Sequence, residues 1–127
     1  MKLSELLFES YSAYLLSKKS RSLILNKFPP KFSKVDAHHI TVKFGLSKTD
    51  RIPHTAKLQV VGYSCDASLE SVVVSVNGKT NRPDGSTYHI TLSYEPGRKP
   101  VESNKLLRNG WTDVSPFDIE ATPKILN

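Results

Sequence analysis

Two tripeptides in this 127-residue sequence are identical, His39-Ile40-Thr41 and His89-Ile90-Thr91, fifty positions apart. Each lies in a run that alternates apolar and polar residues, His38 to Phe44 and Tyr88 to Tyr94. Alternation with period two predicts a β-strand in which residues two apart share a face. On the first strand Ile40, Val42 and Phe44 make the apolar face, which leaves His39, Thr41 and Lys43 on the other. On the second, Tyr88, Ile90, Leu92 and Tyr94 are the apolar face, and His89, Thr91 and Ser93 point away from it. A slip of one residue would bury the polar set, so the register is well specified. A single His-x-Thr in a strand is most simply an accident of β-propensity. Two copies with the same facing and the same kind of apolar partners are not.

The chemistry that uses such a set is cleavage of a phosphodiester. One histidine takes the proton from an attacking hydroxyl or water, and the other gives a proton to the leaving oxygen. Imidazole serves both roles near neutrality because its ordinary pKa is about 6.5. The threonine hydroxyls donate hydrogen bonds to the non-bridging phosphate oxygens, where charge builds up. No metal or other cofactor is required by this scheme.

Around the two strands the chain reads as α+β. Leu3, Leu6, Leu7, Tyr11, Tyr14 and Leu15 follow the rhythm of one helical face, which places Tyr11 and Tyr14 in the core of a first helix. Ser17 to Arg21 interrupts it, and a second short helix through Leu23, Ile24, Leu25 and Phe28 ends at Pro29-Pro30. Lys31 to Asp36 is a polar approach loop. Lys57 to Ser64 and Leu69 to Asn77 read as strands, and the loop from Asn77 to Thr87 turns at Pro83-Asp84-Gly85. Pro100 suits the first turn of a helix that ends at Asn109-Gly110, and Phe117 to Ala121 reads as a last strand. With no linker in view, residues 1–127 are expected to form one domain.

Composition narrows the functional classes. Hydrophobic residues are 38% and charged residues 24%, which suits a folded core and argues against a disordered chain. No apolar run approaches the roughly 18 residues of a spanning helix, and Met1 to Glu5 does not open a signal peptide. The single cysteine, Cys65, excludes an internal disulfide and a paired-cysteine zinc site, so a reducing, cytoplasmic setting is expected. All of the net charge of +6 sits between Ser10 and Val35, in Lys18, Lys19, Arg21, Lys27, Lys31 and Lys34, with no acid among them. Such a block reads either as a solvated face or as the footprint of a polyanion. No obligate protein partner and no extended apolar patch is evident, so a monomer is expected.

Two His-x-Thr strands in a small α+β chain resemble the two-histidine phosphoesterase superfamily. Its members include bacterial RNA cyclic phosphodiesterases, a domain of fungal and plant RNA repair enzymes, viral 2′-5′ oligoadenylate phosphodiesterases and phage enzymes that destroy cyclic nucleotide alarm signals. The resemblance implies a bilobal fold with pseudo-two-fold symmetry, in which antiparallel sheets with flanking helices each lend one motif strand to a central cleft. It also implies metal-independent phosphodiesterase activity, with His39, Thr41, His89 and Thr91 as the four motif residues. The match covers both motifs and the order of elements around them, although the chain is shorter than most members. The runs Arg82 to Tyr88 and Tyr94 to Pro100 are most similar to phage-encoded and RNA-repair-type members. That similarity implies an enzyme of RNA ends, or one that dismantles a cyclic oligonucleotide messenger in a host cytoplasm.

Other residues invite narrower readings. Lys43, Lys79 and Arg82 are candidate substrate-binding residues: Lys43 shares the face of His39, and the other two lie in the loop entering the second motif. His38 lies on the Ile40 face and reads as a partly buried structural histidine, whereas His54 beside Pro53 reads as exposed. Trp111 and Tyr63 are able to stack on a base, with core packing as the default for Trp111. Gly78-Lys79-Thr80 is not a P-loop, because Val73 stands where its first glycine belongs. Two other functions compete with catalysis by two histidines: an RNA- or nucleotide-binding module without chemistry, and a metalloenzyme using His39 and His89 with Asp36 or Glu95.

Overall fold

Among the described residues the chain folds as two antiparallel sheets with two short helices. The computed structural model describes residues 10–46 and 50–126. In chain order the elements are β1 (Tyr11–Leu16), α1 (Lys18–Lys27), β2 (Lys34–Val35), β3 (His39–Phe44), β4 (Leu58–Cys65), β5 (Leu69–Val76) and β6 (His89–Tyr94). A 3-10 turn (Pro100–Glu102), α2 (Ser103–Arg108), β7 (Thr112–Ile119) and β8 (Ala121–Leu126) follow. The three-stranded sheet has the order β3-β1-β8, and the five-stranded sheet has the order β2-β6-β5-β4-β7. The two motif strands, β3 and β6, therefore belong to different sheets.

One core serves both sheets. Tyr14 of β1, Ile24 of α1, Ile40 of β3 and Ile90 and Leu92 of β6 pack with Val60, Val72 and Val74. The apolar partners of the two motifs, Ile40 and Ile90, are wholly buried, and each contributes about 1.5–3 kcal/mol. Residues from the other faces of β3 and β6 line one common hollow. No helix among the described residues is long and apolar enough to cross a membrane.

The sequence misleads at the two ends. Tyr11 to Leu16 is a strand rather than the end of a helix; Leu3, Leu6 and Leu7 lie outside the described residues. β1 is the central strand of its sheet and is covered on both faces, with Ser12, Ala13 and Tyr14 all buried, so its residues do not alternate. Tyr14 still belongs to the core, and its hydroxyl donates to His54 O (2.8 Å). Helix α1 begins earlier than its apolar residues suggest. Ser17 is its cap, accepting from Ser20 N at 3.1 Å, and Phe28-Pro29-Pro30 closes it. The approach loop contains the two-residue strand β2.

At the C-terminal end, two strands of eight and six residues replace the single expected one. Pro116 and Pro123 disguise them. Both are edge strands, where proline is tolerated, and Pro116 lies at an irregularity where Val60 faces Phe117 but Gly62 faces Asp113. Beside it Trp111 lies against Gly62; a Cβ there would stand 2.4 Å from the indole, so only glycine admits the ring.

Candidate active site

The crossover between the sheets sets the site. β2 pairs with β6, matching Val35 with Ser93, and the ladder runs on through Asp36 N to Leu92 O and Ala37 N to Thr91 O, both 2.8 Å. Ala37 then takes φ 51°, a left-handed conformation that is uncommon outside glycine. The turn carries the chain from the five-stranded sheet into β3 of the other, where Leu16 N donates to His38 O (3.0 Å). His39 arrives beside β6 as a result.

All four motif residues line one hollow of about 440 Å³, counting its open mouth. Its enclosed part is only about 80 Å³, well below the roughly 300–1,000 Å³ usual for small-ligand sites. Asp36 and Arg82 complete its polar wall.

The two imidazoles are held by different partners. His89 Nδ1 lies 2.8 Å from Thr87 O, and since a carbonyl only accepts, Nδ1 carries the proton. In the neutral ring Nε2 is then a bare acceptor. Burial pulls the His89 pKa down, the Thr87 carbonyl opposes that, and the Arg82 charge adds to the fall. His39 Nδ1 lies 2.9 Å from His38 Nδ1, a pair that shares a single proton. The His39 pKa is pushed down to about 4, chiefly by burial and further by the charges of His38 and His89. Its ring also packs on Tyr11, with centroids 5.3 Å apart. His38 is exposed rather than partly buried, because the turn at Ala37 swings it outward, and its ring engages the motif histidine beside it.

The threonines differ as well. Thr91 Oγ1 donates to Pro100 O (3.2 Å) and meets Ser103 Oγ (2.8 Å), so the segment after β6 immobilises it. Thr41 as a residue is buried to a similar degree, but its hydroxyl, with no protein partner among the described residues, is left open to the hollow. Immediately after each threonine the ladder skips one residue. Ala13 pairs Thr41 but Ser12 pairs Lys43, which bulges Val42; Ser71 pairs Thr91 but Glu70 pairs Ser93, which bulges Leu92. A bulge reverses the facing of the residues beyond it.

That reversal removes Lys43 from the site. Its ammonium is exposed and pairs with Asp50 (2.8 Å), and Phe44 lines the hollow in its place. Lys79 is also outside: it is exposed and closes a tight turn with Val76. Arg82 is brought in. It is 6% exposed, lines the hollow, and its Nη2 donates to Asp84 Oδ2 (2.6 Å). The guanidinium and Ser86 together hold the Asp84 carboxyl well below the usual carboxylate range. Arg82 is thus a fixed cation at the wall.

Asp36, Phe44 and Asn104 also line the hollow, and the sequence marks none of them as a cleft residue. Asp36 is legible only as a possible metal ligand; burial raises its pKa, opposed by His38 and Arg21. Alternation assigns Phe44 to the apolar face, and the bulge breaks that alternation. Asn104 carries no sequence signal. Among the described residues no three His, Cys, Asp or Glu side chains converge as a metal site, and Glu95 is engaged with Ser33 N (2.8 Å). Tyr63 stacks on Phe28 and donates to Glu70 (2.7 Å), so it braces β4 against β5. The buried Glu70 also accepts from Ser93 Oγ and from Lys31 N, which fixes β6 and the approach loop behind the site.

Comparison with known family models, with curated proteins and with solved structures found no match.

Proposed function

We propose that the chain is a phosphodiesterase of the two-histidine type, acting on an RNA or oligonucleotide phosphodiester by general acid–base catalysis without a metal. The observation that carries this reading is the lining of one hollow by His39, Thr41, His89 and Thr91 from two different sheets. The matching bulges after Thr41 and Thr91 fit a bilobal, pseudo-symmetric design. Candidate substrates are a 2′,3′-cyclic phosphate at an RNA end, a 2′-5′ linkage and a cyclic oligonucleotide signal. The last would make the enzyme a means by which a phage blunts a host defence.

In this mechanism the phosphate lies between the imidazoles, against the Arg82 cation. His89 is the base, because its Nδ1 proton is committed to Thr87 O and its Nε2 carries the lone pair. It removes the proton of the attacking hydroxyl or water as the new P–O bond forms. His39 is the acid: with the anionic phosphate bound beside it to favour the protonated ring, it takes up a proton from solvent and gives it to the leaving oxygen as the old P–O bond breaks, with His38 meeting its Nδ1. Thr41, whose hydroxyl is unengaged, donates to a non-bridging oxygen. Thr91 has its proton on Pro100 O and holds the wall in place.

A second reading rests on a separate observation. Lys18, Lys19, Arg21, Lys27, Lys31 and Lys34 are all exposed, as a polyanion-binding surface requires. Binding without chemistry would need this surface but not two histidines and two threonines in one cleft.

The deciding experiment incubates the protein in excess EDTA with nucleoside 2′,3′-cyclic phosphates, 2′-5′ oligoadenylates and cyclic di- and trinucleotides. New phosphomonoester ends on at least one class support the phosphodiesterase. Salt-sensitive RNA binding with no cleavage of any substrate supports the binding module instead. Activity that disappears with chelator and returns with zinc or manganese contradicts the metal-free mechanism.

A further inference from the structure

The hollow has apolar lining residues as well as polar ones. Phe44 of β3 and Val101 of the turn after β6 both line it, and both remain largely uncovered, at 56% and 59% exposure. Phe44 is steadied from behind by Tyr11, the rings stacked 4.9 Å apart. Large apolar side chains held out to solvent in the lining of a cleft suit a flat ring laid against them.

The same lining holds an unsatisfied acceptor. Asn104 Nδ2 donates to Val101 O at 3.1 Å. Turning the amide over would set two oxygens against each other, so this bond fixes which end is which. The Oδ1 atom is buried and is the single buried side-chain polar atom among the described residues with no hydrogen-bond partner. Asn104 lines the same hollow as the two histidines. A buried acceptor left unpaired is costly and marks a place where a donor belongs.

We infer that Phe44, Val101 and Asn104 form a nucleobase subsite, in which the ring of the nucleoside beside the scissile phosphate lies against the two apolar side chains and its exocyclic amino group donates to Asn104 Oδ1. This rests on the phosphodiester reading of the polar lining residues and adds to it the class of base. Adenine, cytosine and guanine carry such an amino group, and uracil does not. An N6,N6-dimethylated adenine keeps the ring face and loses the donor, so it isolates the hydrogen bond.

The test compares adenosine 2′,3′-cyclic phosphate with its N6,N6-dimethyl analogue as substrates, and adenosine 3′-monophosphate with its dimethyl analogue as ligands in titration calorimetry. The wild-type protein is expected to favour the amino-bearing compound roughly tenfold or more in kcat/KM and in Kd, as a site that pairs a buried acceptor should. Asn104→Leu is expected to bring both ratios close to one, by lowering the amino-bearing compound toward its dimethyl analogue. The chemical probe needs no variant, so misfolding of Asn104→Leu cannot hide the answer. Equal handling of the two bases by the wild-type protein overturns the subsite, and so does a preference that survives in Asn104→Leu. A preference seen in binding while no substrate is cleaved upholds the subsite and overturns the catalytic reading instead.

Discussion

The strand of His39 and the strand of His89 share a tripeptide, a bulge and a cleft, yet they hold their polar groups in opposite ways. On β6 everything is tied to backbone or buried neighbours: His89 Nδ1 to Thr87 O, and Thr91 to Pro100 O and Ser103. On β3 the partners are a neighbouring side chain or none: His39 meets His38, and the Thr41 hydroxyl is open. Position in the sheet explains the contrast. β6 lies inside the five-stranded sheet and is overlaid by the 3-10 turn and α2, whereas β3 is an edge of the three-stranded sheet. The same three residues thus become a rigid half and an adjustable half. For the proposed phosphodiesterase, which would bind a phosphate and release a changed one, one half of each kind is an advantage.

Loss of either imidazole is the largest expected effect. His39→Ala and His89→Ala should each lower turnover in EDTA by about 10²–10⁴-fold, the usual worth of one general acid or base. A variant of either kind that keeps the wild-type rate would leave only one strand in the chemistry and dissolve the comparison.

The threonines sharpen it. Thr41→Val should lower kcat about tenfold, about 1.4 kcal/mol of barrier, and leave the urea midpoint unchanged. Thr91→Val should instead cost about 1–3 kcal/mol of stability in urea unfolding, because Ser103 and Pro100 lose a buried partner. Equal effects of the two substitutions on either readout would mean that the strands are equivalent after all.

Acid should act through the same rings. The His39 pKa is lowered to about 4 in the folded chain against about 6.5 when unfolded. Between those values the unfolded chain binds more protons, so this contribution to stability is complete above pH 6.5 and is lost as pH falls toward 4. The lowered His89 pKa adds in the same direction. Thermal unfolding at stepped pH should show this decline, and His39→Gln should flatten it. A melting temperature independent of pH across that window would contradict the burial of these rings.

The smallest expected effect is at Lys43. Lys43→Ala should change turnover less than about twofold, since its ammonium pairs with Asp50 outside the cleft. A loss of tenfold or more would place a charge in the site that the bulge at Val42 takes away.

How far the chain can be read from its residues depends on the same geometry. The two motif strands are legible because each buries one face, and alternation is the direct trace of that. Alternation then fails one residue past each threonine: a bulge leaves no compositional mark, so the pattern assigns Lys43 to the cleft and Phe44 to the core. β1 reads as helix because a central strand covered on both sides has no alternation to show. β7 and β8 are largely hidden by Pro116 and Pro123, residues that edge strands tolerate. Arg82 is legible as a cation near the motif, but its burial against Asp84 depends on a loop conformation that no pattern encodes. Asn104 and Asp36 reach the hollow only through tertiary packing.

The central claim is that His39 and His89 face one phosphate. Nitrogen-15 NMR of the imidazole rings during titration with adenosine 3′-monophosphate tests it most directly. The account predicts that the ring nitrogens of His39 and His89 shift together along one saturation curve, with exposed His54 unmoved. Two curves with different midpoints, or a response from only one of the two rings, would contradict it.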